Sequence, residues 1–576
     1  MTNNNQYINI PAEKFTFSKR TDLSHDKKFD TKPVSYFEGA FRRFCKNKGA
    51  VVGGIVILCL VLFALFAPFF TPYTPEYYDM SYAYVTPKLA LAEKLGLGFW
   101  DGGKDKDTNT IGYLKDLALQ QETGREVIKS EVQISKDGQE VNKSEVPLGA
   151  NGYNYKYRVD TYYGVGFGKY KEITPAEFEA IQKYQNDTGR QVLYPVVKTS
   201  DRPKQEKNKY DANIYYKMED PNAKVIRPVL DEEGNVIPNY WKYEEGDKNS
   251  LIVPYDSLRI EGDDGIVEES IVYNEYGTPV YDKNGKLLKE VKTYYYVYGI
   301  QKPSTVEVRV DYYEYYTYLH AKADDGIGEP MFIFGTTDTG KDIFSCLAYG
   351  ARFSFIFATV VALVNFIVGI IWGSISGYFG GALDLAMERF CEILGAVPSM
   401  IIITLLKYHM GRFILENALY ELVDIQSAIV LFISFFATGW IGMAGRTRMQ
   451  FYRFKNQEYV LAARTLGASD SRIMFKHIFP NGLGTIVTSV ALVIPSMIYS
   501  ETSLSYLGII NLEAGSLTSV GTLINAGQKA FQVGDPNLIY VAFFPCAFLV
   551  LLMLSFNLFG NGLRDAFNPS LRGAED

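Results

Sequence analysis

Residues 335–342 carry the most familiar chemical pattern in the sequence, the GxxxxGK spacing with which phosphate-binding loops begin. Lys341 is followed by Asp342, so the hydroxyl that would hold Mg²⁺ is missing and a carboxylate would face the phosphates. The four histidines form no H-E-x-x-H motif, and no cysteine pair, catalytic triad or paired carboxylate site is recognisable. We therefore expect no nucleotide, metal, cofactor or catalytic site on this chain.

Glu501 is the acidic residue most clearly placed inside an apolar segment. Acids inside membrane segments commonly serve a function, although a buried and hydrogen-bonded acid near a helix end can be structural. We expect a gating or structural role for Glu501 rather than cargo recognition. The same roles are expected for Pro398 and Pro495, which interrupt apolar runs and permit bends.

Residues 458–481 read EYVLAARTLGASDSRIMFKHIFPN and predict two short helices. The first helix is broken at Gly467. The second begins at Ser469 or Asp470, where an acid suits the positive helix end, and Pro480 ends it. Two helices joined by a glycine in a basic segment form a rigid knob. Such a knob either docks into the groove of a partner or packs against its own bundle.

Six apolar runs can position these residues in a bilayer, whose hydrocarbon core about 20 helical residues can cross. The runs are residues 50–70, 353–378, 390–406, 428–443, 485–506 and 538–559. The third and fourth runs are short and need flanking residues to reach full length, whereas the second, fifth and sixth are long. The first run is too long and too far from the N-terminus for a signal peptide.

The average composition, with 47% hydrophobic residues and a net charge of −7, conceals two unlike regions. Residues 71–334 carry 33 Lys and Arg against 44 Asp and Glu, a net charge of −11, whereas the remainder carries 25 against 21, a net of +4. Basic residues precede the first run and crowd the segment between the fourth and fifth runs. The positive-inside rule therefore predicts cytoplasmic termini and an external segment at 71–334.

This insertion at residues 71–334 is rich in tyrosine and lacks cysteine, so a packed core must stabilise it without disulfides. Turn signals and aromatic runs predict mostly strands. They lie at residues 136–138, 233–235, 283–285, 293–298 and 306–318. Thr174, Pro175 and Glu177 predict a helix with a capping box that stops near Gly189. We expect an α+β fold, mostly β, which serves either as a plain scaffold or as a docking platform.

Residues 458–481 resemble the EAA loop of ABC-importer permeases, whose pattern is Glu-Ala-Ala, a glycine a few residues on, and Ile-x-Leu-Pro. In the peptide-importer branch the form resembles E-Y-V-x-A-A-R-x-L-G-A-S-x-x-R-I-x-x-x-H-I-x-P-N, and here Phe479 replaces the usual leucine. Further matches to the branch pattern lie at residues 335–342, 349–354, 377–389, 501–508 and 562–569. In the first of these, Thr337 and Lys341 depart from the pattern.

The chain is similar to the C-type permease subunits of oligopeptide and dipeptide ABC importers, densely over 332–572, loosely over 1–70 and not over the insertion. The resemblance implies a type I ABC importer permease fold, a polytopic α-helical membrane protein with six transmembrane helices. Closure of a cytoplasmic ATPase on ATP is then transmitted by the EAA loop to the helices. Glu458 contacts the ATPase or simply caps its own helix. The residues implied in coupling are Glu458, Tyr459, Ala462, Ala463, Arg464, Gly467, Ala468, Arg472 and Pro480.

The resemblance also implies partners: a homologous second permease subunit, two ATPase subunits that hold ATP and Mg²⁺, an extracellular substrate-binding lipoprotein and the lipid bilayer, with no nucleic acid. The expected cargo is an oligopeptide or dipeptide. A nickel or other metal chelate is the alternative cargo, because that branch shares these motifs. A membrane-anchored extracellular binding or sensory protein is the alternative from another class, against which five further spans argue.

The expected domains are a cytoplasmic tail at 1–49, a first span at 50–70, the insertion at 71–334 and helices two to six at 335–576 with the coupling loop at 446–481. The expected location is a bacterial cell membrane, in an envelope of the Gram-positive type. The chain itself is expected to be a non-catalytic transport subunit.

Overall fold

The computed structural model describes residues 36–567 apart from 96–99, 147–151, 166–168, 195–228, 234–251, 255–265, 272–288, 298–299, 304–305, 417–422, 511 and 513–516. Its helices are α1 (Tyr36–Lys46), α2 (Lys48–Phe66), α3 (Ala90–Lys94), α4 (Thr110–Thr123), α5 (Pro175–Thr188), α6 (Tyr312–Ala323), α7 (Ile343–Phe379), α8 (Gly381–Gly395), α9 (Ser399–Glu416), α10 (Val423–Gly439), α11 (Ile441–Phe454), α12 (Glu458–Thr465), α13 (Asp470–Arg472), α14 (Phe479–Tyr506), α15 (Val520–Val533) and α16 (Ile539–Phe567).

Four helical stretches are long and apolar enough to cross a membrane. They are Lys48–Phe69, Ile343–Phe379, Ile425–Phe454 and Pro536–Phe567. Two bent pairs also qualify, α8 with α9 at 69° and Asp470–Ile486 with Thr488–Tyr506 at 48°. The described part of the chain thus holds four spans, or up to six if each bent pair is one span, and the protein is a multi-pass membrane protein.

Of the two prolines expected to bend helices, Pro398 lies at a break and Pro495 does not. Pro398 falls between α8 and α9, where the bend is 69°. Proline lacks an N–H and disfavours helical conformation in the residue before it, which accounts for a break at this place. Pro495 lies inside α14 and does not end that helix. The fifth run, residues 485–506, is long, as the sequence indicates. It belongs to a bent pair rather than to a straight span.

The strands of the insertion are β1 (Gly103–Asn109), β2 (Gln133–Lys136), β3 (Gln139–Val141), β4 (Asn154–Asp160), β5 (Lys169–Ile173), β6 (Leu193–Tyr194), β7 (Ile252–Pro254), β8 (Ile266–Ile271), β9 (Lys289–Val297), β10 (Ile300–Pro303) and β11 (Val306–Val310). They form antiparallel sheets in the orders β1-β4-β2-β3, β10-β9-β8 and β5-β11-β6, and β7 also pairs with β11. The insertion is thus α+β, as expected.

The predicted turn at residues 136–138 joins β2 to β3, and both Asp137 and Gly138 have positive φ, which suits a tight hairpin. The strand β9 covers most of the predicted run at 293–298. The prediction of a strand over 306–318 is wrong beyond Val310. There Asp311 accepts a hydrogen bond from the N–H of Tyr313 and starts α6. The signals at 234–235 and 283–285 lie outside the described residues.

The helix predicted after Thr174 is confirmed as α5, which ends at the left-handed Gly189. Thr174 Oγ1 accepts from the N–H of Glu177 at 3.2 Å, so half of the capping box is present. The Glu177 carboxylate does not return to the cap. It accepts from Tyr318 Oη at 2.6 Å and from Lys322, and so joins α5 to α6.

The insertion is fastened to the N-terminal ends of α7 and α16. Ser345 Oγ in α7 donates to the carbonyl of Tyr73 at 2.8 Å. The side-chain amide of Asn537, just before α16, donates to the carbonyl of Asp105 at 3.1 Å and accepts from its N–H at 3.3 Å. The ring of Trp100 lies 5.9 Å from that of Phe544 in α16. These contacts make the insertion a fixed extension of the bundle rather than a tethered domain.

Candidate functional site

The coupling segment forms a compact knob between α11 and α14. Helix α12 begins after Gln457, which is extended at φ −71° and ψ 149°. The chain then reverses at Gly467, whose φ of +80° lies in the left-handed region that favours glycine. The N–H of Ala468 closes the turn on the carbonyl of Ala463 at 3.1 Å. The first predicted helix and its glycine break are therefore confirmed.

The second predicted helix differs from expectation, because Pro480 does not end it. The short α13 continues as a π-helix over Ile473–Ile478 and then directly into α14. Pro480 lies in the first turn of α14, directly after the π-helix. A π-turn widens the backbone by one residue per turn, and here it lies where an uninterrupted α-helix would meet the proline ring.

One face of the knob packs on the membrane helices. The buried side chains of Phe451, Val460, Ile473, Met474 and Ile478 form a cluster with Tyr378 at the end of α7. Burial of five apolar side chains, each worth about 1.5–3 kcal/mol, fixes the knob on α7 and α11.

The opposite face is open to solvent. Tyr459 is 40% exposed, Leu461 47% and Leu466 87%. Three exposed apolar side chains on one short segment are compatible with a protein-binding surface. We call these three residues the apolar rim.

The implied coupling residues divide between the two faces. Ala463 is only 9% exposed and lies on the inner face, and Ala468 is half-buried. The others are exposed and can reach a partner. They are Glu458, Tyr459, Ala462, Arg464, Gly467, Arg472 and Pro480.

Tyr378, the penultimate residue of α7, joins both parts of the knob to the bundle. Its hydroxyl donates to Asp470 Oδ1 at 2.6 Å. Arg464 Nη2 donates to the same hydroxyl at 3.4 Å, and its guanidinium lies 5.6 Å from the ring centroid of Tyr378. One side chain of α7 therefore contacts α12 and α13 together.

A second polar contact braces the same end of the bundle. Arg448 in α11 donates to both carboxylate oxygens of Asp384 in α8, each at 2.6 Å. Tyr452 Oη and Ser376 Oγ also donate to this carboxylate. Bidentate arginine–carboxylate pairs fix orientation as well as distance. The sequence analysis missed this cluster, because 64 residues separate Asp384 from Arg448 and no local pattern joins them.

Helices α7 and α11 touch through a row of glycines. A Cβ on Gly369 would lie 2.6 Å from Met443 Cβ, and one on Gly373 would lie 2.2 Å from the carbonyl oxygen of Ala444. Gly377, one turn further, faces Phe451 in the same way. The four-residue spacing of small residues is the signal that could have predicted this contact.

Glu501 is fully buried near the C-terminal end of α14. Its carboxylate accepts from Ser354 Oγ of α7 at 3.0 Å and from Ser505 Oγ at 2.9 Å. It therefore joins α14 to α7 at the end opposite the knob, and we retain a gating or structural role for it as a prediction.

The GxxxxGK segment at 335–342 precedes α7 and caps it. Asp342 Oδ2 accepts from the N–H of Ser345 at 2.8 Å. Burial raises the pKa of the Asp342 carboxyl to about 7. Gly340 has φ +76°, and a Cβ there would lie 1.8 Å from the carbonyl oxygen of Asp79. The glycines of this segment thus allow close backbone approach between the two ends of the insertion.

Comparison with known proteins links this architecture to transport. A family described as the binding-protein-dependent transport system inner membrane component matches residues 369–573, and the N-terminal transmembrane domain of oligopeptide transport permease C matches 35–87. The oligopeptide transport system permease protein OppC of Bacillus subtilis (strain 168) is 42% identical over 239 residues, 42% of this chain and 72% of the relative.

The chain is also similar to a second permease relative and, weakly, to a solved structure. The dipeptide transport system permease protein DppC of Bacillus subtilis (strain 168) is 36% identical over 239 residues, 42% of this chain and 69% of the relative. A solved structure of the inward-facing MetNI methionine ABC transporter has a TM-score of 0.31 at 16% identity and covers 39% of this chain and 96% of its own.

The bundle with its braced knob defines a helical membrane permease. The chain belongs to the family of binding-protein-dependent transport permeases, in the branch of the oligopeptide and dipeptide permease C proteins. The resemblance drawn from the coupling motif is thereby confirmed. Residues 88–368, which include most of the insertion, lie outside both family matches.

Proposed function

We propose that this chain is the permease subunit of an ABC importer that moves oligopeptides or dipeptides into the cell. The observation that carries the proposal is the knob, which lies within the family match at 369–573 and is braced from α7 and α11 while its apolar rim stays exposed. The named activities of the relatives favour peptides as the cargo.

In this proposal the chain is not an enzyme and binds no cofactor. Two cytoplasmic ATPase subunits hold ATP and Mg²⁺, and a groove on one of them covers the apolar rim. Closure of the ATPases then pushes the knob, and Tyr378 passes the movement to α7.

The proposed assembly also contains a homologous second permease and an extracellular lipoprotein that delivers the peptide. The knob and both termini lie in the cytoplasm, and the insertion at 71–334 lies outside a Gram-positive-type cell membrane. The charge asymmetry between the basic knob segment and the acidic insertion supports this orientation.

The test is peptide uptake and ATP hydrolysis by the purified complex in proteoliposomes. Proline cannot adopt the φ of +80° at Gly467, so Gly467→Pro should leave ATP hydrolysis running while peptide uptake falls to background. Gly467→Asn is the matched control, because asparagine tolerates the left-handed region. Normal coupling in Gly467→Pro would refute the loop assignment, and uptake of a nickel chelate without uptake of peptide would change the cargo.

A further inference from the structure

The insertion contains a cleft of about 510 Å³ at the end nearest the membrane spans. One wall is formed by residues 76–81, which follow the first span, and the other by α6, which precedes the second. Lys171 of β5 also lines it. The volume falls within the range of about 300–1,000 Å³ that is typical of sites for small molecules.

The aromatic walls of the cleft are held in place. Tyr77 Oη donates to Tyr316 Oη at 3.0 Å, and the ring of Tyr77 lies 4.8 Å from that of Tyr73 behind it. The ring of His320 packs 4.2 Å from that of Tyr316, and its Nδ1 lies 2.7 Å from Asp325 Oδ2. A ligand therefore meets walls that lose little conformational freedom when it binds.

The charges of the cleft are mostly negative. Its described lining contributes three carboxylates, those of Glu76, Asp79 and Asp325, against the ammonium of Lys171. Tyr312 Oη donates to both oxygens of Asp79, at 3.0 and 2.9 Å. The N–H of Ser81 donates to Asp79 Oδ1 at 2.8 Å. A carboxylate offers about four acceptor positions, so Asp79 keeps one for a further donor.

Two features orient these charges. Burial raises the pKa of Tyr312 well above its usual range, and the negative charge of Asp79 raises it further. The Tyr312 hydroxyl therefore remains a donor at any physiological pH. The ammonium of Lys171 lies 5.2 Å from the ring centroid of Tyr312, so this tyrosine contacts both a cation and an anion. The cleft therefore holds carboxylates that can bind a cation and an ammonium that can bind an anion.

We propose that this cleft binds a short peptide with free ends, whose terminal ammonium pairs with Asp79 and Asp325 and whose terminal carboxylate pairs with Lys171. Carboxylates and tyrosine rings together are the groups that recognise an ammonium in proteins. The inference rests on the proposed function as a peptide importer. The cleft also adjoins the start of α7, because Gly340 contacts the backbone of Asp79.

The test is calorimetric titration of the full chain in lipid nanodiscs with the tripeptide Ala-Ala-Ala, its N-acetylated form and its C-terminal amide. Loss of the charge-assisted hydrogen bonds of the ammonium should weaken binding about tenfold or more on acetylation, with a smaller loss on amidation. Asp79→Asn and Asp325→Asn should each weaken binding of the free tripeptide, and Lys171→Gln should abolish the effect of amidation. Glu140→Gln, at an exposed carboxylate on β3, is the control and should bind as the wild type does.

Equal affinity for the free and acetylated tripeptides would overturn the inference, whatever the variants do. Unchanged affinity in Asp79→Asn and Asp325→Asn would also overturn it, as would displacement of the tripeptide by a neutral disaccharide. Peptide uptake by the whole complex is measured in parallel. Uptake without cleft binding refutes the cleft alone, whereas absence of uptake refutes the proposed function.

Discussion

Helices α7 and α11 of the membrane bundle pack through glycines, whereas the core of the insertion is built largely from tyrosines. Three glycines, at 369, 373 and 377, bring the two helix backbones into contact. In the insertion, Tyr82, Tyr162, Tyr316 and Phe332 are each at most 1% exposed and pack into one cluster.

The difference follows from the two surroundings. Helices inside a bilayer gain little from hiding apolar area from lipid, so close backbone approach supplies their attraction. The insertion is rich in charge and lacks cysteine, so burial of large aromatic rings must supply its stability. Each tyrosine also brings a hydroxyl that needs a partner, as when Tyr162 Oη donates to the carbonyl of Thr86 at 3.0 Å. We therefore expect large-to-small substitutions to destabilise the insertion and small-to-large substitutions to destabilise the bundle.

The largest expected effect is that of Tyr162→Ala in the insertion. Removal of a fully buried ring leaves a cavity, and the free energy of unfolding should fall by about 3–5 kcal/mol. The denaturant midpoint of the purified chain in detergent measures this. Tyr162→Phe keeps the ring and loses only the hydroxyl, so it should cost about 1–2 kcal/mol. Equal loss in the two variants would show that the hydroxyl rather than the ring stabilises this core.

The reverse substitution tests the bundle. Gly373→Ala places a methyl group 2.2 Å from the carbonyl oxygen of Ala444 and should cost about 1–3 kcal/mol by forcing α7 from α11. The apparent Tm in detergent measures this. Gly442→Ala in α11 is the matched control, because no neighbouring element lies within 4 Å of the Cβ that alanine would add there. If both variants have the wild-type Tm, the glycine contact is not tight.

Tyr378→Phe tests the transmission of movement rather than packing. The ring and its apolar contacts remain, but the hydrogen bonds to Asp470 and Arg464 are lost, at a cost of about 1 kcal/mol. We expect a nearly normal Tm and a lower ratio of peptide taken up to ATP hydrolysed. Tyr408→Phe, at a side chain that is 64% exposed, should leave that ratio unchanged. A wild-type ratio in Tyr378→Phe would remove this residue from the coupling path.

The smallest effect concerns a partly exposed ion pair of the insertion. Burial acts to raise the pKa of Asp101, but hydrogen bonds from Arg158 and from the N–H of Gly103 outweigh it and lower that pKa to about 2. The pair then stabilises the fold above pH about 4 and ceases to do so as the pH falls towards 2, by about 1 kcal/mol or less. Asp101→Asn should flatten that part of the profile of Tm against pH. An unaltered profile would show that the pair adds no stability.

The sequence predicted the elements whose signals are local. Long uncharged runs indicate spans, because charged groups are costly in hydrocarbon. The small residues and glycine of the coupling motif predicted the knob, since Gly467 does adopt the left-handed conformation. The pattern also showed the hairpin at Asp137 and the helix after Thr174.

Features that depend on distant residues could not be read in this way. The tyrosines of 312–318 favour a strand intrinsically, yet they form a helix because that puts Tyr312 and Tyr316 into the insertion core. The contact between Asp384 and Arg448 needs the bundle to be assembled first. The π-helix before Pro480 likewise reflects how α14 meets the knob, which no local pattern encodes.

The paired hydrogen bonds between Asp105 and Asn537 have a practical consequence. They tie the first sheet of the insertion to the start of α16, so we expect a tilt of that helix to carry the sheet with it. Once the exposed Cys45, Cys59 and Cys546 are replaced by serine, a single cysteine introduced on β3 can be labelled there with a thiol-reactive dye. Fluorescence anisotropy or energy transfer from that dye would then report, in real time, whether the last helix moves during transport.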